Sequence, residues 1–96
     1  MTNAKQTTEN VTLHFKVKDY ATWRSGYDGN EKNRTSAGIT NSRVFRSAED
    51  PNDVVLLQDV ADVAKARAWF GSDDMKALMQ KIGVLGSPTV RFAAAA

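Results

Sequence analysis

The hydrophobic residues of this 96-residue chain recur with two different spacings, and the order of these spacings constrains the fold most. Apolar and polar residues alternate over 11–17, a period of two that predicts a β-strand. Asp19 then stands where a helix N-cap is expected. The aromatic residues that follow have the spacing of one helix face. They are Tyr20, Trp23 and Tyr27. We predict a helix from there to about Ala37, with Gly38 after its end.

Two strands joined by a turn are predicted next. The segment 39–47 indicates a strand in which Ile39, Arg43 and Phe45 share one face. Acidic residues, Pro and Asn at 49–53 favour a turn, and hence a hairpin. The segment 54–57 is apolar throughout, which is typical of a central strand covered on both faces.

The remainder of the chain predicts an interrupted helix and a short strand. Asp62 is the expected N-cap of the helix, and Gly71 interrupts it. Ser72 begins a new helical segment, followed by acidic residues that its dipole favours. Met75, Leu78, Met79 and Ile82 recur along one face of this segment. The last predicted strand is 89–92.

The predicted order is β-α-β-β-α-β. Because crossover connections are right-handed, this order gives a four-stranded antiparallel sheet with two helices on one face, the ferredoxin-like α+β fold. We predict a single domain over 10–92, with a disordered tail at 1–9 and a short tail at 93–96. The helices leave one sheet face open, although the run 54–57 is apolar on both sides. We therefore expect a homodimer through the open face.

Composition excludes several kinds of site and partner. The chain has no Cys and a single His, so a disulfide, a thiolate site or a multi-His metal site within one chain is excluded. No apolar run approaches the roughly 20 residues that cross a bilayer, and no secretory signal is evident. We expect a cytoplasmic protein without a membrane partner. A net charge of +2, and a third strand without aromatic residues, argue against nucleic-acid binding.

Three stretches, VKDYATWRSGYDG, RVFRSAEDPNDVVLLQDV and ARAWFGSDDMKALMQKIGV, resemble the dimeric α/β-barrel superfamily. Within it, the chain looks most like the small proteins similar to antibiotic biosynthesis monooxygenases. The resemblance extends over about 11–92. It implies two ferredoxin-like protomers packed sheet to sheet, each with a pocket between helices and sheet. Members include cofactor-free oxygenases of polyketide quinones, haem-degrading enzymes, and small isomerases or cyclases, so the fold does not select a reaction.

The haem-degrading branch of this superfamily can be tested on its residues. Those members use an Asn on the first strand, a Trp on the second helix and a haem-ligating His ten positions after that Trp. Trp69 matches the Trp, but Met79 stands ten positions after it, and Asn10 lies at the very start of the strand. Without that imidazole we exclude haem ligation in the manner of the family, and we expect no cofactor.

Six residues are candidates for a functional site. We predict His14 and Trp69 as catalytic residues, and the substrate-binding residues as Trp23, Tyr27, Arg43 and Met79. Histidine is a base near neutral pH, aromatic rings offer flat area with one polar group, and an Arg can hold an anionic oxygen.

Each of these residues also has a purely structural interpretation. His14 lies on the polar side of its strand, where it would be hydrogen-bonded at the dimer interface. The aromatic residues and Met79 would form an ordinary packed core. Arg43 would form a surface or interface ion pair with a residue such as Asp59 or Glu49.

The sequence therefore supports two hypotheses about function. The first is a cofactor-independent enzyme, oxygenase-like or isomerase- or cyclase-like, that acts on a small planar or enolisable molecule between the helices and the sheet. Its partner would be a small hydrophobic or aromatic compound. The second is a non-catalytic ligand-binding or assembly module of the same fold. It is favoured because the chain shows no paired carboxylates, nucleophile–base motif or metal cluster.

Overall fold

The computed structural model describes residues 9–94 and has the predicted succession of strands and helices. The elements are β1 (Glu9–Val17), α1 (Tyr20–Gly29), α2 (Glu31–Ser36), β2 (Ile39–Arg46), β3 (Asp53–Val60), α3 (Val63–Phe70), α4 (Asp73–Lys81) and β4 (Val84–Ala94). Apart from Glu9, which belongs to β1, the tail predicted at 1–9 lies outside the described residues. β4 begins five residues before the predicted last strand and extends to Ala94.

The four strands form one antiparallel sheet in the order β2-β3-β1-β4. With helices packed against one side, this is the predicted ferredoxin-like fold. β3 is central, as its apolar run 54–57 indicated. β4 contains extra residues around Gly86, where its register against β1 shifts between His14 and Lys16.

Successive residues of β1 and β3 lie alternately under the helices and on the opposite side of the sheet. We call the helix side the covered face and the other side the open face. In β1 the covered face carries four buried residues, which are Val11, Leu13, Phe15 and Val17. In β3, Val54 and Leu56 are buried there, whereas Val55 and Leu57 are half-buried on the open face. The alternation predicted for β1 is thus confirmed.

The helices begin where the sequence predicts. The side chains of the three predicted N-caps each accept a hydrogen bond from the backbone N–H three residues further on. They are Asp19, Asp62 and Ser72. The first helical region is not continuous, because the backbone of Asn30 leaves helical geometry (φ −103°, ψ 14°) and separates α1 from α2. The single helix predicted up to Ala37 is therefore two helices.

A bulge in β2 corrects one prediction. Between Thr40 and Arg43 this strand has one residue more than β3 opposite it, and Asn41 adopts a positive φ of 51°. The bulge reverses the phase of the strand. Ile39 is buried on the covered face, whereas Arg43 and Phe45 lie on the open face. The prediction that these three residues share one face is wrong.

Within 9–94, no helix is long and apolar enough to cross a membrane. The same part of the chain contains no group of three His, Cys, Asp or Glu residues placed to hold a metal ion. Neither finding tests the cytoplasmic location or the cofactor-free chemistry, which stay predictions.

Candidate functional site

A small cavity lies between the helices and the covered face of the sheet. Its walls come from α1, α3, α4 and the strands β1, β3 and β4, and its polar lining residues are Tyr27, Asn30, Arg34 and Gln58. Within the cavity, the volume that the centre of a water molecule can occupy is about 30 Å³. That is room for one or two waters. A planar organic ligand therefore has to displace part of the wall.

The α1 side of the cavity is tightly packed. Trp23 is 2% exposed and stacks on Tyr27, with ring centroids 4.8 Å apart. The ring of Phe15 lies 5.5 Å from that of Trp23 on the other side. Close packing extends to the backbone, because a Cβ added to Gly26 would lie 2.2 Å from Ile82 Cγ2. This wall is fixed by contacts on several sides.

The α4 side is packed more loosely. Four apolar residues, three from α4 and one directly after its end, line the cavity, and none of them is fully buried. They are Met75, Leu78, Met79 and Ile82. Surface grooves of about 360 and 400 Å³ adjoin α4, and both share lining residues with the cavity. Shifts of α4 and its flexible Met side chains would therefore connect the cavity with solvent.

Gln58 places a polar group at the cavity wall. It lies on the covered face of β3 and is 1% exposed. Its Nε2 donates to the hydroxyl of Tyr27 at 2.9 Å and to that of Ser42 at 3.2 Å. Its Oε1 has no hydrogen-bond partner among the described residues. An unpaired buried acceptor costs about 1–3 kcal/mol, so a ligand that paired it would recover that free energy.

Arg34 is the second buried polar residue of the cavity. Its guanidinium lies 3.6 Å from the ring centroid of Tyr27 and donates a hydrogen bond to the Tyr27 carbonyl oxygen. The residue is 7% exposed. No carboxylate in the range 9–94 lies within 4 Å of it. Burial lowers the pKa of Arg34, yet a guanidinium stays protonated at neutral pH. The cavity therefore has a positive charge at one end.

The structure brings four of the six predicted site residues together. Trp23 and Tyr27 form the fixed wall, and Trp69 and Met79 line the looser side. The Trp69 ring packs on Phe70 at 5.0 Å between centroids, so it is part of an aromatic cluster that includes the cavity lining. The proposed roles of these four residues in binding or catalysis stay predictions.

The structure does not bring His14 and Arg43 to this cavity. His14 lies on the open face, with Nε2 2.6 Å from Asp53 Oδ1 and its side chain 55% exposed. Arg43 lies on the same face, 3.6 Å from Asp59. The sheet separates both from the cavity, so neither is placed to act on a molecule bound there. For Arg43 the reason is the bulge in β2, which a strict alternation does not reveal.

Sequence reasoning missed Arg34 and Gln58. A signal for Gln58 was present, since it is a polar residue in the inward phase that Val54 and Leu56 define. Arg34 had no such signal. It belongs to the six-residue helix EKNRTS, which is polar throughout and too short to show an inward face.

Comparison with known proteins shows where this fold recurs. No protein-family model matches the chain, and no curated protein matches it significantly. A candidate antibiotic biosynthesis monooxygenase from Bordetella bronchiseptica superposes with a TM-score of 0.76 at 18% identity, over 92% of this chain and 96% of that chain. A mutant of SnoaB, a cofactor-independent oxygenase from Streptomyces nogalater, superposes with a TM-score of 0.69 at 12% identity, over 92% of each chain.

The fold is that of the antibiotic biosynthesis monooxygenase-like proteins. The resemblance stated from the sequence is thus confirmed for the fold. A conserved protein from Methanosarcina mazei Go1 has it too, with a TM-score of 0.69 at 13% identity over 93% of each chain. At such identities the likeness does not extend to a reaction.

Proposed function

We propose that the chain binds a small planar or enolisable organic molecule in the cavity between helices and sheet, and oxidises it with dioxygen without a cofactor. One observation carries this proposal. Both tryptophans of the chain and Tyr27 surround a cavity that also contains two buried polar side chains with unused hydrogen-bonding capacity. The fold it shares with SnoaB, a cofactor-independent oxygenase, supports the same reaction class.

The residues of the cavity would act by positioning the substrate and excluding water. Trp23 and Tyr27 form a rigid flat wall against which a planar substrate stacks. Trp69 and Met79 would close over its other side. An acidic CH₂ group of the substrate loses a proton to water to give an enolate, which reacts with dioxygen. The group becomes C=O, and the second oxygen atom leaves as water with the two hydrogens.

A specific observation favours the second function, non-catalytic ligand binding. Among the described residues that line the cavity there is no His, Asp or Glu. A substrate that does not ionise readily would thus find no general base at neutral pH. In this case the cavity would bind a planar molecule and release it unchanged.

Measurement of oxygen uptake in the presence of anthrone tests the enzymatic proposal, because the CH₂ group of anthrone is acidic and the product of its oxidation is a stable quinone. We expect protein-dependent oxygen consumption with one dioxygen used per quinone formed. Trp69→Phe should lower kcat/KM by about 10- to 100-fold through loss of positioning. Tyr20→Phe is the matched control, since Tyr20 is an aromatic residue of α1 outside the cavity lining.

The outcomes separate the two functions. Uptake that falls in Trp69→Phe and persists in Tyr20→Phe supports turnover in the cavity. Saturable binding of anthrone or a 1,3-dicarbonyl compound with no oxygen consumed would favour the binding module. Loss of activity in His14→Ala with unchanged activity in Trp69→Phe would move the chemistry to the open face and contradict the proposal.

We also propose that a second copy of the chain covers the open face. Phe45 and Leu85 are 53% and 49% exposed there, and Val55 and Leu57 are half-buried on the same face. An apolar surface of this kind on a sheet is typical of an interface between subunits. Its polar contacts, such as the hydrogen bond between His14 Nε2 and Asp53 Oδ1, lie beside the apolar residues.

Sedimentation velocity tests the dimer. We expect the wild-type chain to sediment as a dimer and Phe45→Glu to sediment as a monomer, because two like charges would face an apolar interface. Ala64→Glu adds the same charge on the exposed surface of α3 and should leave the dimer intact. A wild-type protein that stays monomeric at high concentration would contradict this proposal.

A further inference from the structure

We propose that Arg34 and Gln58 form an oxyanion-binding end of the cavity, which selects ligands that carry a delocalised anionic oxygen, either a carboxylate or an enolate. This inference rests on the proposed function, because it places the ligand in the same cavity. It adds the chemistry of the ligand and the two residues that recognise it.

Arg34 has the geometry of an anion-binding residue. Its guanidinium is held flat against the Tyr27 ring, and the contact with the Tyr27 carbonyl oxygen uses one of its five N–H donors. Among the described residues the other donors have no hydrogen-bond partner. Glu31 and Asp28 act on this charge from beyond 4 Å, and a ligand oxyanion with two acceptor oxygens would pair directly with the remaining donors.

A second Arg in the chain shows that stacking on tyrosine does not require burial. Arg46 lies 3.7 Å from the ring centroid of Tyr20 and donates to the carbonyl oxygen of Pro51, which is the same pair of contacts. Arg46 is exposed, so water satisfies its remaining donors. Arg34 makes equivalent contacts at 7% exposure beside a cavity. The remaining donors of Arg34 are therefore available at the cavity, where a ligand can reach them.

Gln58 provides a second hydrogen-bonding group at the same end. Tyr27 connects the two residues, because Arg34 covers its ring and Gln58 contacts its hydroxyl. The hydroxyls of Tyr27 and Ser42 can each donate or accept, so the Gln58 amide can turn by 180° and keep both contacts. It can therefore offer either its oxygen to a ligand hydroxyl or its NH₂ to a ligand carbonyl.

A polar cleft adjoins this end of the cavity. It has a volume of about 440 Å³, lies between α1, α2 and β2, and shares Tyr27 and Arg34 with the cavity lining. Ser42, Arg24 and the carboxylates of Asp28 and Glu31 also line it, so the cationic donors nearest the cavity are those of Arg34. The anionic group of a ligand can thus stay near water and Arg34, while its ring occupies the apolar part under α4. The two ends of the cavity predict a ligand that is apolar at one end and anionic at the other.

Arg34 could alternatively serve only to fasten the end of α1 through the Tyr27 carbonyl. A purely structural role makes no distinction between charged and neutral ligands. The test therefore compares ligands of the same shape that differ in charge. 4-Hydroxycoumarin, an enolate at neutral pH, is paired with neutral coumarin, and salicylate is paired with neutral salicylamide.

Calorimetric titration of the full chain with these four compounds gives the dissociation constants. We expect the anion of at least one pair to bind about 10- to 100-fold more tightly than its neutral partner, which is the range for a hydrogen bond to a charged group. The pair that discriminates identifies the source of the oxyanion, carboxylate or enolate. In Arg34→Gln this preference should disappear while binding of the neutral compound changes little.

Three further variants complete the test. Gln58→Met should weaken anion binding by a smaller factor, and Gln58→Glu should abolish it by repulsion. Arg46→Gln is the matched control and should preserve the preference. Arg34→Lys retains the positive charge and should retain part of the preference for the anion. It replaces Arg34→Gln in the test if Arg34→Gln fails to fold.

The outcomes distinguish this inference from the proposed function. Equal affinity for both members of each pair in the wild-type chain would overturn the oxyanion end and leave the proposed function standing. So would a preference that survives in Arg34→Gln. If neither anthrone nor any of the four compounds binds, the proposed function is itself contradicted. A preference lost in Arg34→Gln and kept in Arg46→Gln supports the inference.

Discussion

The two halves of the helix layer cover the same sheet but are packed very differently. On the α1 half, Trp23 and Tyr27 are buried and stacked, and Gly26 lets the backbone approach Ile82. On the other half, α4 contributes no fully buried residue, and α3 contributes only Ala66. The difference indicates where the cavity could widen for the ligand proposed above. The α1 half would hold its polar groups in place, and the α4 half would yield.

The first prediction concerns the two tryptophans, one in each half. Trp23→Ala should lower the free energy of unfolding by about 3–5 kcal/mol, because it removes a fully buried ring. Trp69→Ala should have less than half that effect, since Trp69 is only partly buried. Urea denaturation measures both. Equal losses would contradict the division into a tight and a loose half.

The second prediction tests the contact between the halves. Gly26→Ala should destabilise the protein by about 1–3 kcal/mol, because the added Cβ overlaps Ile82. Gly29→Ala is the matched control in the same helix. It has open space around it and should be neutral or stabilising by up to about 1 kcal/mol.

A double substitution sharpens this prediction. Ile82→Ala removes Cγ2, so Gly26→Ala combined with Ile82→Ala should cost less than the sum of the single changes. Strict additivity in urea denaturation would mean that the two residues do not touch.

The third prediction concerns hydrogen exchange. Backbone amides in the middle of α4 should exchange about tenfold faster than those in the middle of α1, because local opening of a loosely packed helix needs less free energy. Exchange followed by mass spectrometry or NMR measures the ratio. Saturation with an anion that binds should slow exchange in α4 more than in α1. Slower exchange in α4 than in α1 would contradict the division into a tight and a loose half.

The smallest expected effect is a pH dependence at the start of α1. Hydrogen bonds from the Thr22 hydroxyl and backbone N–H lower the pKa of Asp19 below its usual 3.8. A lowered pKa in the folded state stabilises the protein above the unfolded value, and this stabilisation is lost as the pH falls through the folded value. Asp19→Asn keeps the cap but does not titrate. When the pH is lowered from about 5 to about 3, the urea midpoint of this variant should therefore fall slightly less than that of the wild-type chain.

Most of the fold was predictable because its signals are local. The alternation in β1 and the side chains of the three N-caps act within a few residues, and the structure confirms them. The bulge at Asn41 was not predictable, because a strand with an extra residue has no distinct composition. The early start of β4 was hidden by Gly86 and Pro88, which are typical of loops.

The candidate site was predictable only in its apolar part. Trp23, Tyr27 and Trp69 follow from helix spacing, since large rings on an inward face must meet in a domain of this size. Arg34 reaches the cavity because the chain turns at Asn30 and begins a second short helix. That change of direction depends on tertiary contacts, which the periodicity of the sequence does not contain.

The interruption of β2 at Asn41 has a consequence for how copies of this chain associate. β2 and β4 are the edge strands of the sheet, and an uninterrupted edge would be a template for strands from other molecules. The bulge disrupts one edge, and the extra residues around Pro88 disrupt the other. Fibre-like extension of the sheet is thereby opposed on both sides. Stacking of two copies through the open face, as proposed above, does not use these edges and would stop at two molecules.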